Sequence, residues 1–331
     1  MTEPSPGSTS DYTLGQIGEF GLINRVARTV RQGHAVLIGP GDDAALVSTP
    51  DGRVVASTDL LVEGRHFRRD WSTGYQVGRK AAAQNLADIA AMGGVGSALL
   101  VGLAAPADLP LSWAKDLSAG LADEAALVGA SVAGGDTVGS EILLIAVTAL
   151  GDLQGRAPVT RAGAHPGDIV AYAGELGWSA CGLELLLRDM DGPKPALARH
   201  RSPEPPYEQG PAAARAGATA MLDISDGLLA DLGHIAEESS VAIDLDPAAF
   251  PIEDQLRETA RKCGVEVLDW VLTGGEDHAL AACFPPDVEL PPGWHVVGRV
   301  SERAEAPDTP LVTVSGHPWG ATPGWDHFGR S

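Results

Sequence analysis

At 331 residues, with 44% hydrophobic and 20% charged side chains, the chain exceeds the usual size of one core and is no disordered polymer. Its 23 Lys+Arg against 44 Asp+Glu give a formal net charge of −21, which argues against the basic face that a nucleic-acid partner needs. Three cysteines, Cys181, Cys263 and Cys283, are odd in number and far apart, fit neither a disulfide framework nor a zinc knuckle, and point to a reducing cytoplasm.

From Met1 to about Thr13 the chain is polar and carries no positive segment followed by an apolar one, so it reads as a flexible tail and not as a leader. No apolar run approaches the ~18 residues of a membrane helix. The stretch from Leu143 to Leu150, for example, stops at Gly151 and Asp152. A soluble protein without a membrane partner is expected.

The informative acids sit beside glycines and apolar runs, where an ionised carboxylate is costly unless it is paired, hydrogen-bonded or on a metal. Asp42 and Asp43 leave a glycine turn and enter an apolar strand; successive strand residues face opposite sides, so only one need face a site. The plain alternative is Asp as a turn former. Ser57, Thr58 and Asp59 close a β-branched run, and hydroxyls with a carboxylate at a strand's end suit a hard cation, or else simply cap the strand. His66, in Glu63-Gly64-Arg65-His66-Phe67, is a candidate to face a ligand, although a lone His is more often structural.

From Val77 to Gly94 the spacing predicts a helix closed by glycines, with Asn85 and Asp88 three apart on one face otherwise made of alanine and leucine. Asp88 there needs a cation or a donor, unless that face meets water. Arg79 and Lys80 fit either phosphate contacts or helix-surface charges. Ser131-Val132-Ala133 predicts a short strand into a double-glycine turn that presents Asp136, where backbone N–H groups at Gly134 and Gly135 can approach phosphate oxygens. Asp223 and Ser225 share a predicted strand face, and Asp226 stands where the chain turns into a helix, a position that a plain N-cap also explains. Gly274-Gly275-Glu276-Asp277 is a further glycine turn followed by two acids.

Clustered aspartates can hold Mg²⁺ that bridges phosphate oxygens, which reverses the local sign of an acidic protein. Arg161 is a candidate positive partner. The chain lacks the Gly-x-x-x-x-Gly-Lys-Ser/Thr loop, the protein-kinase loop set, a Rossmann fingerprint, His-Glu-x-x-His and Gly-x-Ser-x-Gly. The residues by themselves thus point to an oxygen-ligated metal protein that handles phosphates, and they leave the substrate open.

In order along the chain, Gly41-Asp42-Asp43-Ala44-Ala45, Ser57-Thr58-Asp59 with Gly64-Arg65-His66-Phe67, Asn85 to Gly93, Gly134-Gly135-Asp136-Thr137, Asp223 to Leu228, Gly274-Gly275-Glu276-Asp277 and Trp325-Asp326-His327-Phe328 resemble the thiamine-monophosphate kinase family. That family lies in the superfamily of aminoimidazole-ribonucleotide synthetase and selenophosphate synthetase. The resemblance implies an α/β (α+β) two-domain fold: a tail over 1–14, an N-terminal ATP- and metal-binding domain over 15–154, and a C-terminal α/β domain over 155–331. It also implies a homodimer, in which the N-terminal sheets pair into a β-barrel across the interface.

Carried over position by position, the resemblance makes Asp43, Ser57, Thr58, Asp59, Asp88, Asp136, Asp223 and Asp226 magnesium ligands. Gly135, Asp136, Arg161 and Ser225 become ATP contacts. His66, Glu276 and Trp325 fall on the thiamine-phosphate side, and Asp59, Asp88 and Arg161 are the catalytic set. The chain departs from the pattern at Trp325, where Tyr or Phe is frequent, and at His278, which replaces the tyrosine of Glu-Asp-Tyr. The implied reaction is in-line phosphorylation of thiamine monophosphate by ATP with several Mg²⁺. The rivals are another ATP-using member of the superfamily and a noncatalytic divalent-metal-binding protein, the latter without an EF-hand loop to support it.

Overall fold

The computed structural model describes residues 12–16, 25, 32–38, 45–304, 310–320 and 324. Asp43, Trp325 and residues 1–11 of the expected tail lie outside the described residues. The chain forms a mixed α/β structure that divides into two compact units, one of residues Met1–Leu86 and Gly96–Asp152, the other of Ala87–Val95 and Leu153–Ser331.

The first unit is built on a four-stranded sheet of β3 (Val55–Val62), β4 (Val95–Ala105), β5 (Val132–Gly139) and β6 (Leu144–Asp152), in the order β3-β6-β4-β5. A two-stranded ribbon, β1 (Val36–Ile38) with β2 (Leu46–Val47), precedes it. The sheet is two-sided in character. Ile145, Val147 and Ala149 of β6 are buried, whereas Leu60 of β3 is 53% exposed and Leu100 of β4 is 37% exposed. That alternation is what a half-covered sheet dictates. The covering helices are α1 (Gly74–Ala91) and α2 (Leu111–Ala126). They meet backbone to backbone, because a Cβ at Gly78 would stand 2.1 Å from the Leu117 carbonyl oxygen and one at Gly120 would stand 2.0 Å from that of Tyr75. Tyr12 and Leu14, at the end of the expected tail, and Gly15 after it are tied by backbone hydrogen bonds to Ala107, Leu109 and Leu111.

The second unit centres on a six-stranded sheet of order β12-β9-β11-β7-β10-β8. Its strands are β7 (Ile169–Ala173), β8 (Ala220–Ile224), β9 (Val241–Leu245), β10 (Ala279–Phe284), β11 (Trp294–Glu302) and β12 (Val312–Val314). All pairings are antiparallel except β12 with β9. Strand β10 is apolar at every position because both faces are covered. Ala279, Ala281 and Cys283 enter one core, and Leu280, Ala282 and Phe284 enter the other. Helices α3 (Trp178–Leu187), α4 (Lys194–Arg201), α5 (Gln209–Ala216), α6 (Leu228–Glu238), α7 (Asp254–Cys263) and α8 (Val267–Thr273) complete the unit.

Two local expectations change. Ser57-Thr58-Asp59 lies in the middle of β3 and not at its end, because Leu60, Leu61 and Val62 continue the strand. Strand β5 likewise runs through Gly134, Gly135 and Asp136 without a turn. There the absent side chain admits the neighbouring strand, since a Cβ at Gly135 would stand 1.9 Å from the Val101 carbonyl oxygen. All three cysteines are buried and unpaired. Among the described residues, no helix is long and apolar enough to cross a membrane.

Candidate active site

In the first unit the pleat of β3 sorts the predicted ligands. Ser57 and Asp59 share a side with buried Leu61, while Thr58 faces the open side. There the Thr58 hydroxyl donates to the Val147 carbonyl at 3.1 Å and accepts from Thr148 Oγ1 at 3.0 Å. Any contribution by Thr58 on the Asp59 side would come from its main chain. The Asp59 N–H donates to Asn85 Oδ1 at 3.0 Å, and Asn85 Nδ2 donates to the Ala81 carbonyl at 2.9 Å. Asn85 is thereby satisfied within its own helix while it clamps the strand that carries Asp59.

His66 follows on the loop after β3. Its Nδ1 accepts the Val62 N–H at 3.0 Å, which places the neutral ring's proton on Nε2. Lys80 is buried and donates to the His66 carbonyl at 3.1 Å. Arg79 Nε lies 2.6 Å from Oε2 of Glu124, a residue with no exposure. Lys80 is thus no surface charge, and Arg79 is half-buried and committed to Glu124. Asp136 is exposed on β5, and its carboxylate accepts the N–H of Thr137 at 2.8 Å. A cavity of about 380 Å³ in this unit, lined by residues 69–74 with Pro110, Ser112, Trp113 and Asp116, holds none of the predicted site residues.

In the second unit, the predicted acids meet a feature that sequence reasoning missed. Asp223, on β8, is 6% exposed, and its Oδ2 lies 3.0 Å from Nδ1 of His278. The strand ends at Ile224, so Ser225 and Asp226 occupy the bend before α6. Asp226 does not cap that helix. Instead Asp231, one turn in, reaches back and accepts the N–H groups of Asp226 and Gly227, both at 3.0 Å. Burial first, then the charges of Asp223 and Asp226, push the Asp231 carboxyl up to about 7. The available signal was an acid amid the apolar run Leu228-Leu229-Ala230-Asp231-Leu232.

The segment Glu276-Asp277-His278 is held tightly. Glu276 and His278 both adopt left-handed backbone, with φ of 64° and 52°. Their N–H groups donate to the carbonyls of Ser225 (2.8 Å) and Ile224 (2.9 Å). Between them, Asp277 accepts from the N–H groups of Gly177 (2.6 Å) and Ser179 (2.8 Å) at the start of α3. Burial pushes the Asp277 carboxyl up to about 7 against those two bonds. Burial opposes the imidazolium form of His278. The bond to Asp223 and the charges of Asp223, Glu276 and Asp88 outweigh it and raise the pKa. Asp88, Asp223, Glu276 and His278 therefore share one electrostatic neighbourhood within this unit. His200 Nδ1 lies 3.1 Å from Ser179 Oγ and 3.6 Å from Glu276 Oε2. Arg161 is exposed, and its carbonyl accepts the Ser239 hydroxyl at 2.8 Å. A Cβ at Gly324 would stand 2.6 Å from the Asp226 carbonyl oxygen, so the chain at Gly324 runs against the Asp226 bend.

Among the described residues, no three His, Cys, Asp or Glu side chains are grouped to hold an ion unaided. The donor set still fits Mg²⁺, which keeps several waters and is usually bound by one or two carboxylates plus substrate phosphates. The crowding of negative charge around Asp231 is the kind of repulsion that a divalent cation relieves.

Residues 41–153 match the family model for the N-terminal domain of AIR synthase related proteins, which sets the class of this α/β protein. Over 324 residues the chain is 50% identical to thiamine-monophosphate kinase of Mycobacterium tuberculosis (strain ATCC 25618 / H37Rv), covering 98% of this chain and 95% of that protein. It is 38% identical to thiamine-monophosphate kinase of Corynebacterium glutamicum, with coverage of 96% and 95%. A solved structure of AaThiL complexed with AMPPCP and TMP superimposes with a TM-score of 0.75 at 32% identity, covering 94% of this chain and 97% of that one. The chain belongs to the thiamine-monophosphate kinase family.

Proposed function

We infer that this chain transfers the γ-phosphoryl group of ATP to thiamine monophosphate and releases thiamine diphosphate. The observation that carries the reading is near-complete coverage at 50% identity of a thiamine-monophosphate kinase. The fold shared with a structure that holds AMPPCP, an ATP analogue, together with TMP supports it.

The accepting oxygen of thiamine monophosphate is already ionised near neutral pH, so the reaction needs no general base. Catalysis then rests on positioning two polyanions and neutralising their charge. Mg²⁺, when bound, supplies the countercharge on the transferring phosphoryl oxygens. The residues that would hold it are Asp43, Ser57, Thr58, Asp59, Asp88, Asp136, Asp223 and Asp226. Gly135, Asp136, Arg161 and Ser225 are assigned to ATP, with the Arg161 guanidinium on its phosphates, and His66, Glu276 and Trp325 to thiamine monophosphate. The exposed Leu60 and Leu100 on the open face of the first unit's sheet support a homodimer in which that face is covered by a second copy. Three buried, unpaired cysteines support a cytoplasmic setting.

The test is incubation of the pure protein with Mg²⁺, ATP and thiamine monophosphate, followed by chromatography for thiamine diphosphate. Asp59→Asn and Asp88→Asn are each expected to lower turnover by about a hundredfold or more with the fold intact. Near-normal turnover in both would reject their assignment. Calorimetric Mg²⁺ binding with no ATP-dependent product would instead identify a noncatalytic metal-binding protein.

A further inference from the structure

We propose that His278 is a positioning residue for the magnesium-binding carboxylate of Asp223, gripping one of its oxygens so that the other is presented to the ion. The proposal deepens the reading above and rests on it, because Asp223 is assigned there as a ligand. The pair is buried on both sides, with side-chain exposures of 6% for His278 and 7% for Asp223. The contact of 3.0 Å joins Nδ1 to Oδ2 and leaves Oδ1 for a ligand.

The donor is itself immobilised. His278 is held in left-handed backbone at a φ of 52°, and its N–H is fixed on the Ile224 carbonyl at 2.9 Å. Two residues on, Leu280 is the register partner of Asp223 in the β10–β8 ladder. Left-handed backbone at a non-glycine residue persists only where surrounding bonds over-determine it. Here the strained residue carries the side chain that meets the acid. A carboxylate on a strand is free to rotate about its last torsion. A hydrogen bond to one oxygen removes that freedom and fixes the direction of the remaining lone pairs, which is how outer partners tune metal ligands.

The experiment follows Mg²⁺ binding by calorimetry on the full chain with AMPPCP present, for wild type, His278→Leu, His278→Asn, Asp223→Asn and the Asp223→Asn/His278→Leu double variant, with melting temperatures measured alongside. Asn places an N–H near the position of Nδ1, so it serves as the conservative variant. His278→Leu is expected to weaken Mg²⁺ binding about tenfold or more. His278→Asn is expected to restore most of the affinity, and the double variant to bind no worse than Asp223→Asn. Wild-type affinity in His278→Leu, or equal losses in Leu and Asn that track a fall in melting temperature, overturns the proposal and leaves a structural histidine. Wild-type binding and turnover in Asp223→Asn instead removes Asp223 from the ligand set, a failure of the earlier reading visible without any His278 variant. If His278→Leu does not fold, nitrogen NMR of the wild-type imidazole decides. Addition of Mg²⁺ with AMPPCP must shift the His278 Nδ1 signal, and an unmoved signal overturns the proposal.

Discussion

The N–H of Asp59 donates to Oδ1 of Asn85 at 3.0 Å, so a side chain buried in α1 fixes the middle of strand β3. Asn85→Ala leaves that N–H without its acceptor, whereas the Ala81 carbonyl keeps the backbone N–H one helical turn on. The expected cost is about 1–3 kcal/mol. Urea denaturation measures it, and turnover is expected to fall with it because Asp59 loses its anchor. A variant as stable and as active as wild type would show that the clamp is idle.

Asp231 accepts two N–H groups at the bend that carries Asp226. Asp231→Ala removes the acceptor for both, and unfolding free energy is expected to drop by about 1–3 kcal/mol. Hydrogen exchange at Gly227 gives the local check. Exchange there should accelerate more than in the strands of the six-stranded sheet, and unchanged protection would refute the capping role.

Asp277 gives a pH signature. Its folded pKa of about 7 lies above the ordinary carboxylate value, about 4 in the unfolded chain. Between those values the folded state keeps a proton that the unfolded state has released, so the stability due to this group falls as pH rises through the window. Asp277→Asn cannot titrate. Wild-type stability minus that of Asp277→Asn should therefore decline between about pH 4 and pH 7. A flat or rising difference curve from denaturant titrations would contradict the burial argument.

Gly120 lets α1 and α2 touch through their backbones, with room for no Cβ against the Tyr75 carbonyl oxygen at 2.0 Å. Gly120→Ala forces the helices apart, at a cost of about 1–3 kcal/mol. A lowered melting temperature with unchanged nucleotide affinity is the expected pattern.

Much of the candidate site was legible as chemistry before it was legible as geometry. A carboxylate at Asp223, between Leu222 and Ile224, advertises itself because burying a charge needs a partner. The helix carrying Asn85 and Asp88 follows from alanine content and closing glycines, since local propensity and spacing suffice for a helix. The strand assignments were less secure. Gly134-Gly135 reads as a turn, yet β5 passes through it, because the glycines serve a close approach by β4 that only the partner strand makes visible.

The sequence by itself determined the kinds of atom available, namely oxygen donors at glycine-flanked and apolar positions, and with them the expectation of phosphate and hard-cation chemistry. It also determined the family, through seven short motifs in order. Tertiary structure alone decided which partner each polar group takes. Lys80 serves the His66 carbonyl, Asp231 and not Asp226 caps the bend, and His278 meets Asp223 from just before the neighbouring strand. The physical reason is range. Propensity and spacing act over a few residues of chain, whereas a hydrogen bond between residues 223 and 278 exists only once two strands far apart in sequence have paired.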